Sequence, residues 1–264
     1  NKLFKNIDRI KQIKLYPPEN GSCEAIIIYE AEDVPLLEEN GNCLSIDLGL
    51  HNLFTCYNSR TGETMIAGRK YLSLCHHYSK EIARVQSQWS SLQASMGVKY
   101  PKSSEHIKRL YEQKNDAVND YLHKVTHFIV GYCKEQDIHT LVIGNLKGIR
   151  KNNNMGKVNN QKLHSLPYSK IYLMLEYKLN MNGITMIKQK ESYSSQCSPL
   201  SPEVSRKYAK KEKRIARGIY QDGEHVWNAD CVGAYNILRL YQAETEKELD
   251  LSEIQTPYIA KVAV

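Results

Sequence analysis

Apolar and polar positions alternate over the first part of the chain, switch to a helical spacing, and alternate again in short bursts towards the end. Alternation over Ile10–Tyr16 and Ala25–Tyr29, with Pro17-Pro18-Glu19-Asn20-Gly21 between them, predicts a β-hairpin. Ala31 to Asn42 is acidic and without a period, as a linker would be. Two apolar runs follow, Ser45–Leu48 and Leu53–Tyr57, broken at Gly49. They read as adjacent strands joined by a tight turn, with glycine supplying a backbone conformation other residues resist. Asn58-Ser59-Arg60-Thr61-Gly62 then turns the chain into a third strand around Met65-Ile66-Ala67.

Ile82, Val85, Trp89, Leu92 and Met96 recur at helical spacing and predict a core-facing stripe, ended by Gly97–Pro101. A second helix is predicted over Ser104–Cys133, with Lys108, Arg109, Lys114 and Lys124 on its solvated side. A strand over His139–Leu146, a helix over Tyr168–Asn182 and a strand over Thr185–Gln189 complete the alternation. Asn228 caps a last helix reaching about Tyr241. Ala243–Val264 is charged, poorly patterned and expected to be a loosely held tail.

At 264 residues, 25% charged and 41% hydrophobic, the chain has the composition of a globular protein with a sizeable core. No apolar run approaches the roughly 20 residues of a membrane span. It begins at Asn1 without an initiator methionine or leader pattern, so we expect a part of a longer protein. The seven cysteines include no C-x-x-C pair, which points to free thiols in a reducing compartment. Cys75-His76-His77 and the His123/His127 pair read as surface or packing residues, since no acidic or thiol partner stands nearby. The net charge of +7 is compatible with a polyanionic partner. It is concentrated at Arg206, Lys207, Lys210, Lys211, Lys213, Arg214 and Arg217, with a tyrosine interleaved. The amide-rich loop Arg150–Lys162 offers Arg150, Lys151, Asn152, Lys157, Asn160 and Gln161 as further contacts to phosphates and base edges.

Candidate chemistry lies in two acids. Asp47 sits in an apolar strand, where a carboxylate is costly without a metal or cation partner. Alone it would read as a turn cap. Asp230 opens a small-residue helix far along the sequence, and two such acids suit a divalent-metal site.

The motifs Ser45-Ile46-Asp47-Leu48-Gly49-Leu50-His51-Asn52-Leu53, Lys157-Val158-Asn159-Asn160-Gln161, Glu191-Ser192-Tyr193-Ser194-Ser195, Arg217-Gly218-Ile219-Tyr220 and Asn228–Leu238 stand in an order that resembles the TnpB (insertion-sequence OrfB) family. The resemblance implies an α/β, ribonuclease H-like (RuvC) mixed sheet with a two-helix insertion, preceded by a partial β-hairpin left from a wedge barrel. It implies domains at 1–42 (wedge remnant and linker), 43–242 (nuclease, with its insertion at 78–134 and a basic, degenerate zinc-ribbon segment at 191–227) and a flexible tail at 243–264. It also implies an RNA-guided DNA endonuclease with guide RNA and target DNA as partners, no membrane association, and a prokaryotic cytosolic or nucleoid location. Carboxylates would hold Mg²⁺ or Mn²⁺, and Asp47 and Asp230 take two of the family's catalytic positions. The family's zinc ribbon needs two C-x-x-C pairs; only Cys197 stands here, so no structural zinc is expected. The family's third carboxylate should end the fourth nuclease strand, where this chain has Gly144. Two readings follow: relocation of that carboxylate to Glu191 at the end of the neighbouring strand, or a nuclease-dead RNA-guided repressor. A guide-independent, structure-selective nuclease is a third expectation from the fold class.

Overall fold

The structure is a computed structural model that describes residues 9–17, 23–30, 33–146 and 166–263. The amide-rich loop predicted to touch nucleic acid, with Arg150, Lys151, Asn152, Lys157, Asn160 and Gln161, lies outside the described residues. The chain divides into two compact units, residues 1–35 with 73–119, and residues 36–72 with 120–264.

In the smaller unit, β1 (Arg9–Leu15) pairs antiparallel with β2 (Ala25–Glu30), the hairpin expected from the alternation. Ile10, Ile13, Leu15 and Ile28 are all exposed on this ribbon. The unit also holds most of α1 (Lys70–Ser95) and the first half of α2 (Glu105–Glu135). Gln93 links the two helical stretches by bonding both the N–H and the carbonyl of Lys102, and Trp89 Nε1 donates to the same carbonyl at 2.6 Å. The first helix starts twelve residues before Ile82, where its apolar stripe was read to begin, because Cys75-His76-His77 interrupts that stripe with polar positions.

The larger unit is built on a six-stranded mixed sheet. Its strands are β3 (Cys43–Leu48), β4 (Phe54–Asn58), β5 (Thr64–Ala67), β6 (Thr140–Gly144), β7 (Thr185–Gln189) and a later edge strand, β10 (Tyr258–Ile259). The spatial order is β10-β5-β4-β3-β6-β7, with β3-β4-β5 antiparallel and β6 and β7 parallel to β3. β3, β4 and β6 are buried along almost their whole length, which is why they read as continuous apolar runs. Helix α3 (Tyr168–Asn180) joins β6 to β7 as a crossover, the connection parallel neighbours require. A short hairpin, β8 (Ile219–Asp222) with β9 (His225–Asn228), leads into α4 (Ala229–Thr245). Val232, Ala234, Ile237 and Leu238 of α4 are fully buried among Val142, Tyr57 and Tyr220. Each large apolar side chain so placed contributes about 1.5–3 kcal/mol. This is the ribonuclease H-like arrangement, a mixed sheet with helices packed on it.

Two expectations change. The terminal stretch is tied down, not loose: Ser252 N donates to Ser59 O, Gln255 N to Gly62 O and Ala260 N to Ile66 O, while β10 pairs parallel with β5. These are loop-to-edge bonds, which leave no periodic trace in sequence. Gly49 is required for space, not for a left-handed backbone. A Cβ there would stand 2.6 Å from the Asn52 carbonyl oxygen, and its φ is not positive.

Candidate active site

The carboxyl ends of the central parallel strands form the site, as expected for open α/β sheets. Ile46 pairs with Ile143, so Asp47 and Gly144 are the next residues along two adjacent strands. Gly144 in turn pairs with Gln189, and Glu191 follows two residues later in a turn. The end of β6 is fixed by Tyr172, whose hydroxyl donates to Gly144 O at 2.6 Å and accepts from Leu146 N at 2.9 Å. Tyr193, inside the Glu191 turn, sits at φ +64°, a left-handed conformation that costs a non-glycine residue about 1–2 kcal/mol. Such strain gathers at functional turns held by their surroundings.

Both small residues of the site are occupied by carboxylates. A Cβ at Gly144 would collide with Glu191 Oε2 and lie 3.1 Å from Ile237 Cδ1. A Cβ at Gly233, one turn into α4, would lie 2.6 Å from Asp47 Oδ2. A mid-helix glycine forfeits about 1 kcal/mol relative to alanine, and the approach of Asp47 is the reason one stands here.

The electrostatics follow from burial. Burial pushes the Asp47 carboxyl well above the usual range, the charges of Glu191 and Asp230 push it further, and Arg214 pulls it back. Burial likewise raises Glu191 to about 7. Glu191 Oε2 is buried without a hydrogen-bond partner, a rare condition for a carboxylate oxygen. Asp47 and Glu191 are half-buried as whole residues, although the Glu191 Oε2 atom itself is buried.

Asp230 is held differently. Asn228 caps α4 as its sequence position foretold, accepting from the backbone N–H of Asp230 at 3.0 Å and of Cys231 at 3.3 Å. The Asp230 carboxylate accepts from Asn52 Nδ2 at 2.9 Å and pairs with Arg214 at 3.3 Å. Among the described residues, no three His, Cys, Asp or Glu side chains form a ready metal cage. Glu191 and Asp230 each lie close enough to Asp47 to repel its charge, without forming a closed ligand set among the described residues.

The basic segment is folded, with Cys197 bridging to Ala209 and buried. Arg206, Lys207, Lys210, Lys211 and Arg217 are exposed on it. Lys213 is half-buried against Asp222 at 2.5 Å, and Arg214 faces Asp230. Two of the seven cations placed on a nucleic-acid surface by sequence therefore have acidic partners. Sequence reading missed Asn52, Arg214 as a neighbour of Asp230, Gly233 and Asn236. The β8–β9 hairpin was missed as well, although Asp222-Gly223 between Tyr220 and Trp227 is a hairpin signal.

A family model described as OrfB_IS605, probable transposase, matches residues 26–150. A second, described as Cas12f1-like, TNB domain, matches residues 168–237. A chain solved as a Cas12f1–sgRNA–target DNA complex is 14% identical with TM-score 0.55, covering 82% of this chain and 53% of that one. A chain solved as a CRISPR–Cas12f ternary complex is 15% identical with TM-score 0.57, covering 85% of this chain and 44% of that one. The chain thus spans about half the length of these solved relatives, and the likeness establishes the fold. No curated protein matches the sequence.

Proposed function

We propose that this chain, which is TnpB-like, is the metal-dependent cutting domain of an RNA-guided DNA endonuclease of an insertion sequence. Its partners are a guide RNA and target DNA, as in the Cas12f1–sgRNA–target DNA complex whose fold it shares. No described helix is long and apolar enough to cross a membrane. A DNA-cutting protein of this kind works in the prokaryotic cytosol or nucleoid.

The observation that carries the reading is Glu191 Oε2, a buried carboxylate oxygen without a partner, lying over Gly144 and beside Asp47. A carboxylate there fills the space that a side chain on Gly144 would take. Asp47, Glu191 and Asp230 are all-oxygen donors, suited to Mg²⁺ or Mn²⁺. The bound cation would supply activation of water and stabilisation of the leaving oxygen during phosphodiester hydrolysis. Asp47 and Glu191 would hold it from the strand ends, and Asp230 from the first turn of α4. Arg214 is positioned to exchange Asp230 for a DNA phosphate. The exposed cations Arg206, Lys207, Lys210, Lys211 and Arg217 would track the nucleic-acid backbone.

A second reading has its own observation. Gly144 replaces the family's strand-end glutamate, and the described residues form no ready three-ligand cage. On that reading the protein binds its target without cutting and acts as a repressor. A cleavage assay with full-length protein, guide RNA and Mg²⁺ separates the two. Cleavage that Asp47→Ala reduces by about 10³-fold or more supports the nuclease. Tight target binding without cleavage supports the repressor.

A further inference from the structure

Helix α4 is linked to every carboxylate of the site, directly or through one intervening turn, and by different residues. Asp230 is its own, and Gly233 makes room for Asp47. Glu191 is reached through Asn236. This side chain is fully buried, at 0% exposure, and all its hydrogen-bonding groups are used. Nδ2 donates to Ser194 O at 2.8 Å and to Cys197 O at 2.8 Å, while Oδ1 accepts from Arg239 Nη1 at 3.1 Å. The segment it grips is the Glu191 turn. Ser194 N and Ser194 Oγ donate to Glu191 O at 3.2 and 2.9 Å. Tyr193 in the same turn is in the left-handed region, a shape the turn does not favour by itself.

We propose that Asn236 is a positioning residue that sets Glu191 against Asp47 by fixing the Glu191–Cys197 turn to the helix that bears Asp230. This rests on the reading of Glu191 as a metal-holding carboxylate. One helix would then register the site: a shift of α4 moves Asp230, the room for Asp47 and the anchor of Glu191 together. Ser45 Oγ, donating to Ala234 O at 2.7 Å, ties the same helix to the strand of Asp47. Partners that orient metal ligands typically change metal affinity by about 10–100-fold when removed.

The test is a titration of full-length protein with Mn²⁺, read by electron paramagnetic resonance, beside the Mg²⁺ dependence of cleavage by the guide-loaded protein. Asn236→Ala should raise the Mn²⁺ dissociation constant and the half-saturating Mg²⁺ by about tenfold, with cleavage recovered at high metal. Ser194→Ala, which removes one bond to Glu191 O, should shift both in the same direction by a smaller factor and serves if Asn236→Ala does not fold. Thr126→Val removes a buried hydrogen bond to Leu122 O within α2 and should leave both constants unchanged. Wild-type metal constants with fewer active molecules, in both Asn236→Ala and Ser194→Ala, would show that Asn236 only helps the loop fold and would overturn the proposal. If Glu191→Gln itself keeps wild-type metal binding and cleavage, the assignment of Glu191 fails first, and the two failures are told apart.

Discussion

The start of α4 and the end of the β6–β7 pair present carboxylates to one site in opposite states. Asp230, in the first helical turn, has a capped backbone, a donor in Asn52 and a cation in Arg214. Glu191 has an oxygen buried without a partner and a space that exists because Gly144 has no side chain. A buried, unpaired carboxylate costs several kcal/mol when ionised, so the Glu191 end is stable either protonated or with a cation beside it. The helical end is stable as it stands. On the proposed reading, the difference teaches where a cation would be needed: at Glu191 and Asp47, whereas Asp230 is already held by Asn52 and Arg214.

The largest expected effect on stability comes from neutralising the unsatisfied end. The folded value of Glu191, about 7, lies above the unfolded value near 4.5. Its contribution is therefore present in full below about pH 4.5 and lost as pH rises through about 7. For metal-free protein that loss is on the order of 3 kcal/mol. Glu191→Gln should melt higher than wild type at pH 8 and nearly level with it at pH 4.5, and saturating Mg²⁺ should close the gap at pH 8. Equal melting of the two proteins at both pH values would break the contrast.

Filling the room beside Glu191 comes next. Gly144→Ala places a methyl against Glu191 Oε2 and Ile237 Cδ1. Overpacking of this kind costs about 1–3 kcal/mol, and the variant should require more Mg²⁺ for cleavage. A denaturant melt and a metal titration check both, and unchanged values in the two would show that Glu191 can leave without consequence.

The smallest effect belongs to the satisfied end. Arg214→Ala removes the cation beside Asp230, so Mn²⁺ should bind about threefold more tightly. Binding to nucleic acid should weaken across sequences, with a salt slope smaller by about one. Weaker Mn²⁺ binding would mean that Arg214 supports the metal ligands and does not compete with the ion.

Much of this was legible in sequence because β3, β4 and β6 are buried on both faces and read as continuous apolar runs. Thr185–Gln189 is the observed β7, and Asn228 is the observed cap. Gly144 was visible as a strand end without the expected carboxylate, and Glu191 as a glutamate at the end of the neighbouring strand. Side-chain partners separated by long loops were not visible. Asn52 with Asp230, Gly233 with Asp47, and Asn236 with Ser194 are set by packing between α4 and the sheet, which no local period records. The β8–β9 hairpin was hidden for another reason. Its Asp222-Gly223 turn follows a dense run of lysines and arginines, whose charge dominates any local reading.

The central claim is that Glu191 took over the carboxylate position vacated at Gly144. The direct measurement is target cleavage and target binding by guide-loaded, full-length protein in wild type, Glu191→Gln, Glu191→Ala, and Glu191→Ala with Gly144→Glu. The account predicts that Glu191→Gln and Glu191→Ala bind their target as wild type does while cleavage falls by about 10³-fold or more, and that Gly144→Glu, entering the room Glu191→Ala vacates, restores part of the lost rate. Full cleavage by Glu191→Gln would contradict it.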